Sequence, residues 1–232
     1  MQNYLTEFLG TFFLVLTIGL TVIGGTPLAP LAIGSSLMVM VYMGGHVSGA
    51  HYNPAVSLAV FLRGKMASTG ELVGYWISQV LGAIAASLVV YVITGQTFAP
   101  APAPTASTAA ALLVELLYTF ALALVVLNSA ASAKTHGNSF YGLAIGFTIV
   151  VAAFAGGGIS GGAFNPAVGT GPILVTAVLG EGSVGHLWLY LIGPFLGGAA
   201  AAWVFGLQER PAIQLHAEPS RVPEGRPSEV PR

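Results

Sequence analysis

The sequence predicts an all-α membrane protein in which six transmembrane helices and two re-entrant half-helices form an inverted repeat. Three observations predict this fold class. Only 6% of the 232 residues are charged, against about 25% in a soluble domain, and the mean hydropathy is +0.82. Six apolar segments are each long enough to cross a bilayer. A glycine-rich segment that ends in Asn-Pro-Ala (NPA) occurs twice.

The scarcity of charge excludes several classes of protein. Seven charged residues precede position 208, Asp is absent, and the net charge is −1. A soluble enzyme or a disordered scaffold needs more polar surface than this, and a nucleic-acid-binding protein needs a basic face. The chain has no cysteine, which excludes disulfides, thiolate metal ligands and a cysteine nucleophile. We therefore expect neither an enzyme nor a cofactor.

Turn-forming residues separate the six apolar segments. The proline-containing run 95–108 follows the third segment, and residues 134–138 follow the fourth. No basic residue precedes the first segment and its apolar run is too long for a signal peptide, so we expect it to be a retained span. We place the spans at residues 4–24, 31–49, 70–94, 109–131, 139–157 and 184–207.

The basic residues predict the orientation of the chain. All of them follow the second, fourth or sixth span, and none follows the first, third or fifth: Arg63, Lys65, Lys134, Arg210, Arg221, Arg226 and Arg232. Basic residues collect on the cytoplasmic side, so both termini are predicted to be cytoplasmic, in a plasma (inner) membrane. Residues 208–232 are rich in Pro, Glu and Arg, which predicts a disordered cytoplasmic tail.

The chain repeats itself with opposite membrane orientation. Residues 44–56 align without a gap on residues 156–168, with eight of thirteen positions identical. Each half holds three spans, and because three is odd the second half enters the membrane from the opposite side. We predict one domain over residues 1–207, with halves of about 1–94 and 109–207 linked by residues 95–108.

The repeated segment predicts a re-entrant loop followed by a half-helix. Asn is a good N-cap and Pro suits the first helical position, so short helices begin after Asn53 and Asn165. The apolar stretches that follow, 56–62 and 168–175, are too short to span a bilayer. Because of the inverted repeat, the two half-helices point at each other from opposite faces. Non-helical backbone at membrane depth is tolerated when it is buried or lines a watery cavity, which indicates a pore.

These motifs resemble the aquaporin, or major intrinsic protein, family over residues 1 to about 207. Beside the paired NPA motifs, the resemblance includes Glu7 and Glu115 in equivalent positions of spans one and four, Gln79 in span three, and Gly193-Pro194 in span six. The resemblance implies a passive channel for water or small neutral solutes in a lipid bilayer, usually a homotetramer with one pore per subunit.

The resemblance also implies roles for individual residues. Asn53 and Asn165 would donate hydrogen bonds to the permeant. The half-helix tips would pack together through Pro54, Ala55, Pro166 and Ala167. The pore would be lined by the backbone carbonyls of Gly49, Ala50, His51, Tyr52, Gly161, Gly162, Ala163 and Phe164. Glu7 and Glu115 would accept backbone N–H groups of the re-entrant loops, although a Glu at a helix end that reaches the membrane interface is an alternative for Glu7.

The sequence departs from the family at the outer selectivity filter. Counted from the two Asn residues, the filter positions are Ile33, Ala153, Gly162 and Val168. Water-selective members carry an aromatic residue, a His, a small residue and an Arg there, and Val168 takes the place of the Arg. Val offers neither the donors nor the positive barrier of Arg, so we predict a wide, apolar, uncharged filter. Water is expected to pass, with ammonia, hydrogen peroxide, urea or small polyols as further candidates, unless Phe154, Phe164 or a loop residue narrows the pore.

Three alternatives remain open at this point. The lost Arg is compatible with an ion channel on the same scaffold, but the pore segments contain no ring of charged residues. A structural or adhesive membrane protein is a second alternative, although the loops between spans carry little charge. A metal site is the third, and the four histidines before residue 208 show no metal-binding spacing: His46, His51, His136 and His186.

Overall fold

Eight α-helices make up most of the part of the chain that the computed structural model describes, residues 1–180 and 182–209. Six of them are long and apolar enough to cross a membrane, and the other two begin at the prolines of the NPA motifs. The predicted fold class is confirmed. The helices are α1 (Gln2–Ile23), α2 (Ala29–Ser48), α3 (Pro54–Leu62), α4 (Thr69–Thr94), α5 (Thr108–Val126), α6 (Tyr141–Ser160), α7 (Pro166–Val178) and α8 (Leu187–Gln208). A π-helical turn, Leu127–Ala131, extends α5.

The limits of the six spans lie within three residues of those expected from the sequence. The largest difference is at the end of the fifth span, where α6 continues past the expected residue 157 to Ser160 and is followed by Gly161, whose φ is +89°. The glycines there look like helix breakers in the sequence. Gly156, however, packs so closely that a β-carbon on it would lie 2.7 Å from Val114. Gly157 and Gly158 have no such neighbour, so close packing accounts for the glycine at position 156 alone.

The predicted tail begins at the end of α8. Gln208 is the last residue of that helix, and Glu209 accepts a hydrogen bond from the Ser132 hydroxyl at 2.6 Å. The rest of the predicted tail, residues 210–232, and Glu181 lie outside the described residues.

The two halves pack in the same way, and the half-helix of each half packs against a helix of the other half. Helix α1 packs on α4 and α2 in the first half, and α5 packs on α8 and α6 in the second. The half-helix α3 packs against α8, and α7 packs against α4, so each short helix is seated on the opposite half. Contact between α2 and α6 joins the halves a third time. This arrangement brings the N-termini of α3 and α7 together at the centre of the bundle.

Equivalent glycines allow the close helix contacts within each half. A β-carbon on Gly82 of α4 would lie 2.5 Å from the Phe8 carbonyl oxygen of α1. A β-carbon on Gly197 of α8 would clash in the same way with the Leu116 carbonyl oxygen of α5. Small residues at such sites let helix backbones approach closely in a membrane.

We expect Gly82→Val to lower the thermal stability of the protein in detergent, because overpacking a tight contact typically costs about 1–3 kcal/mol. Gly158 is the matched control, since it is an exposed helical glycine on which a β-carbon would meet no atom within 4 Å. Gly158→Ala should leave stability unchanged or raise it by roughly 0.5–1 kcal/mol. Equal melting temperatures for Gly82→Val and the parent chain would contradict the close contact.

Candidate functional site

The N-termini of α3 and α7 are built alike by their Asn-Pro motifs. Asn53 caps α3 with its Oδ1, which accepts the N–H of Ala55 at 2.9 Å and that of Val56 at 3.4 Å. Asn165 caps α7 by accepting the N–H of Ala167 at 2.9 Å. A proline is the first residue of each helix, where its missing N–H costs no helical hydrogen bond. The capping bonds fix the orientation of both amides and leave their Nδ2 groups to point away from the helix.

Each asparagine amide reaches across to the opposite half. Asn53 Nδ2 donates to the Phe164 carbonyl at 2.9 Å, and Asn165 Nδ2 donates to the Tyr52 carbonyl at 2.8 Å. The resemblance implies that these amides donate to the permeant and that these carbonyls line the pore, and the hydrogen bonds between the halves give each of them a second role. An amide nitrogen carries two hydrogens, so one donor of each asparagine remains for a solute.

Glu7 holds the first re-entrant loop from inside the membrane domain. One carboxylate oxygen accepts the Ser48 hydroxyl at 2.7 Å and the His51 N–H at 2.9 Å. The other accepts the Tyr52 N–H at 2.7 Å and the Gln79 amide at 2.8 Å. Glu7 is 0% exposed, so the alternative that it reaches the interface does not apply. Four donors satisfy a carboxylate that would otherwise be costly at this depth.

Glu115 holds the second loop in the equivalent way. One oxygen accepts the Ser160 hydroxyl at 2.7 Å and the Ala163 N–H at 3.0 Å, and the other accepts the Phe164 N–H at 2.6 Å. Glu115 is also 0% exposed. The two loops therefore share one design, in which a buried carboxylate collects the N–H groups just before the NPA motif.

Two tyrosines complete this support, a role that was not predicted from the sequence. The Tyr75 hydroxyl donates to the Ser48 carbonyl at 2.7 Å, and the Tyr190 hydroxyl donates to the Ser160 carbonyl. Both carbonyls belong to the last residue of a transmembrane helix, where the acceptor has no helical partner. The internal repeat holds the signal that could have identified them, since the two tyrosines occupy equivalent positions of α4 and α8.

The supporting network is richer in the first half than in the second. The Ser57 hydroxyl accepts the Gln79 amide at 2.9 Å and lies 3.1 Å from His51 Nδ1. At the positions equivalent to His51 and Ser57 the second half has Ala163 and Gly169, which offer no polar side chain. The half-helices are therefore alike in backbone and different in side-chain chemistry.

A cavity of about 410 Å³ contains the predicted filter and both asparagines. We call it the filter cavity. All four predicted filter residues line it, and most of its other lining residues are aliphatic. The filter residues are Ile33, Ala153, Gly162 and Val168. No charged residue of the described part of the chain lines this cavity.

A second cavity of about 300 Å³ adjoins the filter cavity. His51 and Val126 line both cavities, so they stand at the boundary between them. The two cavities together form the path along the pore. Lys65 and Glu71 line the second cavity, so this end of the path is charged.

The backbone residues expected on the pore divide between these cavities. Six line the filter cavity: His51, Tyr52, Gly161, Gly162, Ala163 and Phe164. Gly49 lines the second cavity instead. Ala50 lines neither cavity. It is buried, and its backbone N–H donates to the Ser48 hydroxyl at 3.1 Å.

The structure distinguishes the side chains that the sequence suggested could narrow the pore. Phe154 is wrong for this role, because its side chain is 58% exposed and it does not line the filter cavity. Phe164 does line the cavity and is buried. The loop between the halves also reaches it, through Ala99, Pro100 and Ala101.

His51 lies beside Glu7, but the described histidines and glutamates do not form a metal-binding cluster. Residues 1–180 and 182–209 contain no group of three or more such side chains close enough together to hold a metal ion.

Comparison with known proteins places these features in a wider group. A family model described as "Major intrinsic protein" matches residues 1–205. Aquaporin NIP1-4 of Oryza sativa subsp. japonica is 37% identical over 217 residues, which cover 89% of this chain and 77% of that protein. The glycerol uptake facilitator protein-like 6 of Lactiplantibacillus plantarum is 35% identical over 217 residues, covering 88% of this chain and 96% of that protein.

The fold has a counterpart among solved structures. The aquaglyceroporin from Plasmodium falciparum superposes with a TM-score of 0.78 at 23% identity, covering 88% of this chain and 94% of that chain. At this identity the likeness concerns the fold.

Proposed function

The chain belongs to the major intrinsic protein family, is a passive channel for water or small neutral solutes, and, we propose, passes small neutral solutes together with water through a wide, apolar filter. The family is one of channels and not of enzymes. The proposal concerns the choice of permeant, which the family leaves open.

The observation that carries the proposal is the uncharged filter cavity. Val168 lies on its wall where other family members place an Arg, and the neighbouring Ala153 and Gly162 are small. An Arg would add donors, bulk and a positive barrier, and a Val adds none of them. Selection at this site then depends on the size of the solute and on its ability to leave bulk water.

Two features are left to order the solute and oppose cations. The N-termini of α3 and α7 meet at the asparagines and carry partial positive charge. The free donors of Asn53 and Asn165 offer hydrogen bonds to a hydroxyl, carbonyl or water oxygen. Ammonia, hydrogen peroxide, urea and small polyols fit this chemistry.

The test is a side-by-side measurement of permeability in proteoliposomes by stopped-flow light scattering. Vesicles with the channel should respond faster than empty vesicles to gradients of water, glycerol and urea, and should take up ammonia faster as judged by a pH dye. Faster water flow with no gain for any solute would overturn the permissive filter. Single-channel currents in planar bilayers would point instead to an ion channel.

We further propose that both termini are cytoplasmic, in a plasma (inner) membrane. Asn3 and Lys65 line the same cavity, and Arg63 lies 5.8 Å from the Phe205 ring near the end of α8. This grouping supports one basic face that also carries the termini. Protease access to the C-terminus in inside-out vesicles, and protection in right-side-out vesicles, is the expected result; the reverse would contradict it.

We also propose a homotetramer and a domain over residues 1–207 whose halves are joined by residues 95–108. The family resemblance supports the assembly, and the exposed aliphatic side chains of the helices offer it an apolar surface. Native mass spectrometry from a mild detergent should give four chains per particle. A particle with one chain in several mild detergents would count against the tetramer.

A further inference from the structure

The end of α5 leaves α-helical geometry where it lines the second cavity. The π-helical turn Leu127–Ala131 follows Val126, the last residue of α5. Val126, Ala130 and Ala131 all line the second cavity. We call residues 126–131 the π segment. π-helical turns are rare and often lie at functional sites, and this one shapes part of the path along the pore.

The π-turn belongs to one repeated half. When the halves are aligned through Glu7 and Glu115, Leu127–Ala131 correspond to residues 19–23 of α1, which stay α-helical as far as Ile23. The inverted repeat therefore does not require the turn. Its stability must come from contacts that are specific to the second half.

Side chains of the loop after α5 satisfy two carbonyls of the π-turn. The Thr135 hydroxyl donates to the Asn128 carbonyl at 2.6 Å, and the Asn138 amide donates to the Ser129 carbonyl at 2.7 Å. Carbonyls at the C-terminal end of a helix have no helical partner, so they accept donors from outside the helix. The shape of the turn therefore depends on the position of the loop.

Two further hydrogen bonds tie this region to the end of α8. The Asn128 amide donates to the Gln208 side-chain oxygen at 2.9 Å, and the Ser132 hydroxyl donates to the Glu209 carboxylate at 2.6 Å. The first bond is exposed to solvent, whereas Ser132 is 6% exposed, so water competes less for the second bond. Hydrogen bonds to a carboxylate are also stronger than those between neutral groups. We call the Ser132–Glu209 bond the latch.

The π segment presents small side chains to the second cavity. Ala130 and Ala131 line it, and the other residues of the turn are larger: Leu127, Asn128 and Ser129. A π-turn that returned to α-helical geometry would rotate this part of the chain about the helix axis, because the two helices differ in their hydrogen-bond spacing. The rotation would replace an alanine on the cavity wall with a larger side chain.

We propose that the latch holds the second cavity open, with Ser132 and Glu209 as positioning residues. When the latch breaks, the π-turn relaxes toward α-helical geometry and a larger side chain narrows the path. Pore diameter directly limits flow through a channel. The proposal rests on the channel function of the chain and not on the permissive filter, and it connects the C-terminal end of α8 with the width of the pore.

Removal of either partner of the latch is the first test. Ser132→Ala and Glu209→Ala should each lower the water permeability of proteoliposomes several-fold, and the double variant should lower it no further. Glu209→Gln keeps an acceptor oxygen for the hydroxyl and should retain most of the parent flow. Ser139→Ala is the matched control, because Ser139 is exposed in the same loop and lines neither cavity. Melting temperatures in detergent check that the variants are folded.

The absence of cysteine from the chain allows a second measurement that needs no permeant. Ala130→Cys places a thiol on the wall of the second cavity, and Ala67→Cys places one at an exposed position that lines neither cavity. A membrane-impermeant methanethiosulfonate is added to both sides of the membrane, and mass spectrometry follows the labelling. Adding Glu209→Ala should slow the labelling of position 130 several-fold and leave that of position 67 unchanged.

Parent water flow in folded Ser132→Ala and Glu209→Ala proteins would overturn the proposal. A rise in flow would also overturn it, because the latch would then restrict the path. Lower flow with an unchanged labelling rate at position 130 would do the same, since the defect would lie elsewhere. A channel that passes water and excludes glycerol and urea would refute the permissive filter and leave the latch in place, so the two proposals fail separately.

Discussion

Replacing Glu115 with leucine is expected to leave no conducting channel. Leucine has a similar size but accepts no hydrogen bond, so the Ser160 hydroxyl and the N–H groups of Ala163 and Phe164 lose their acceptor. Each buried donor left without a partner costs about 1–3 kcal/mol. The three costs fall on one loop, whose conformation positions Asn165. The yield of monodisperse protein in detergent and the water permeability of proteoliposomes measure the effect.

A second substitution and a control separate the loss of the carboxylate oxygens from the change in side-chain shape. Glu115→Gln keeps one acceptor oxygen, but its NH₂ group meets at least one N–H donor, so its stability should fall between those of the parent and Glu115→Leu. Glu71→Gln is the matched control for stability, because Glu71 uses a single oxygen to accept the Ala67 N–H at 2.7 Å and an amide oxygen can do the same. A Glu115→Leu protein with the parent melting temperature and water flow would contradict the bracing role.

The topology could be predicted because each element carries a local signal. Span length, glycine and proline breaks, and the odd number of spans in each half lead to the inverted arrangement without knowledge of any contact. The half-helices follow from Asn53 and Asn165, since an Asn-Pro pair both caps and begins a helix. The role of Glu7 came from the family resemblance, and its four donors are visible only in the fold.

Packing between distant segments could not be predicted. Tyr52 fills the space beside Gly10 and Gly44, where a β-carbon on either glycine would clash with its side chain, and its hydroxyl donates to the Met40 carbonyl at 2.9 Å. In the sequence these glycines are far apart and resemble ordinary small residues of transmembrane helices. Their meaning depends on which side chain the loop directs at them.

The part of the cavity wall formed by the linker residues 98–103 could not be predicted for a different reason. Comparison of the two repeats reveals features that occur twice, and residues 98–103 occur once. Their Pro-Ala composition predicts an extended linker but not its destination. Its place on the filter cavity depends on the bonds of Phe98 to Thr176 and of Ala103 to Ile159.

Val168→Arg is expected to convert the permissive filter into a narrower, positively charged one. Val168 is 4% exposed and lies on the wall of the filter cavity, so a longer side chain at this position has the cavity as its open space. A guanidinium adds bulk, fixed donors and a charge that repels cations. Glycerol and urea permeability should fall several-fold, water permeability should fall less, and any proton or cation leak should decrease. Stopped-flow scattering and a pH-sensitive dye inside the vesicles measure these changes.

Val168→Leu separates the size of the new side chain from its charge. It adds one methylene group without a charge, so it should slow glycerol modestly and leave the proton leak unchanged. If Val168→Arg lowers all permeabilities equally while the melting temperature stays at the parent value, Val168 is not at the constriction. If Leu and Arg slow glycerol alike and neither changes the leak, the filter selects by width alone. In that case the half-helix N-termini at Asn53 and Asn165 supply the barrier to cations without help from position 168.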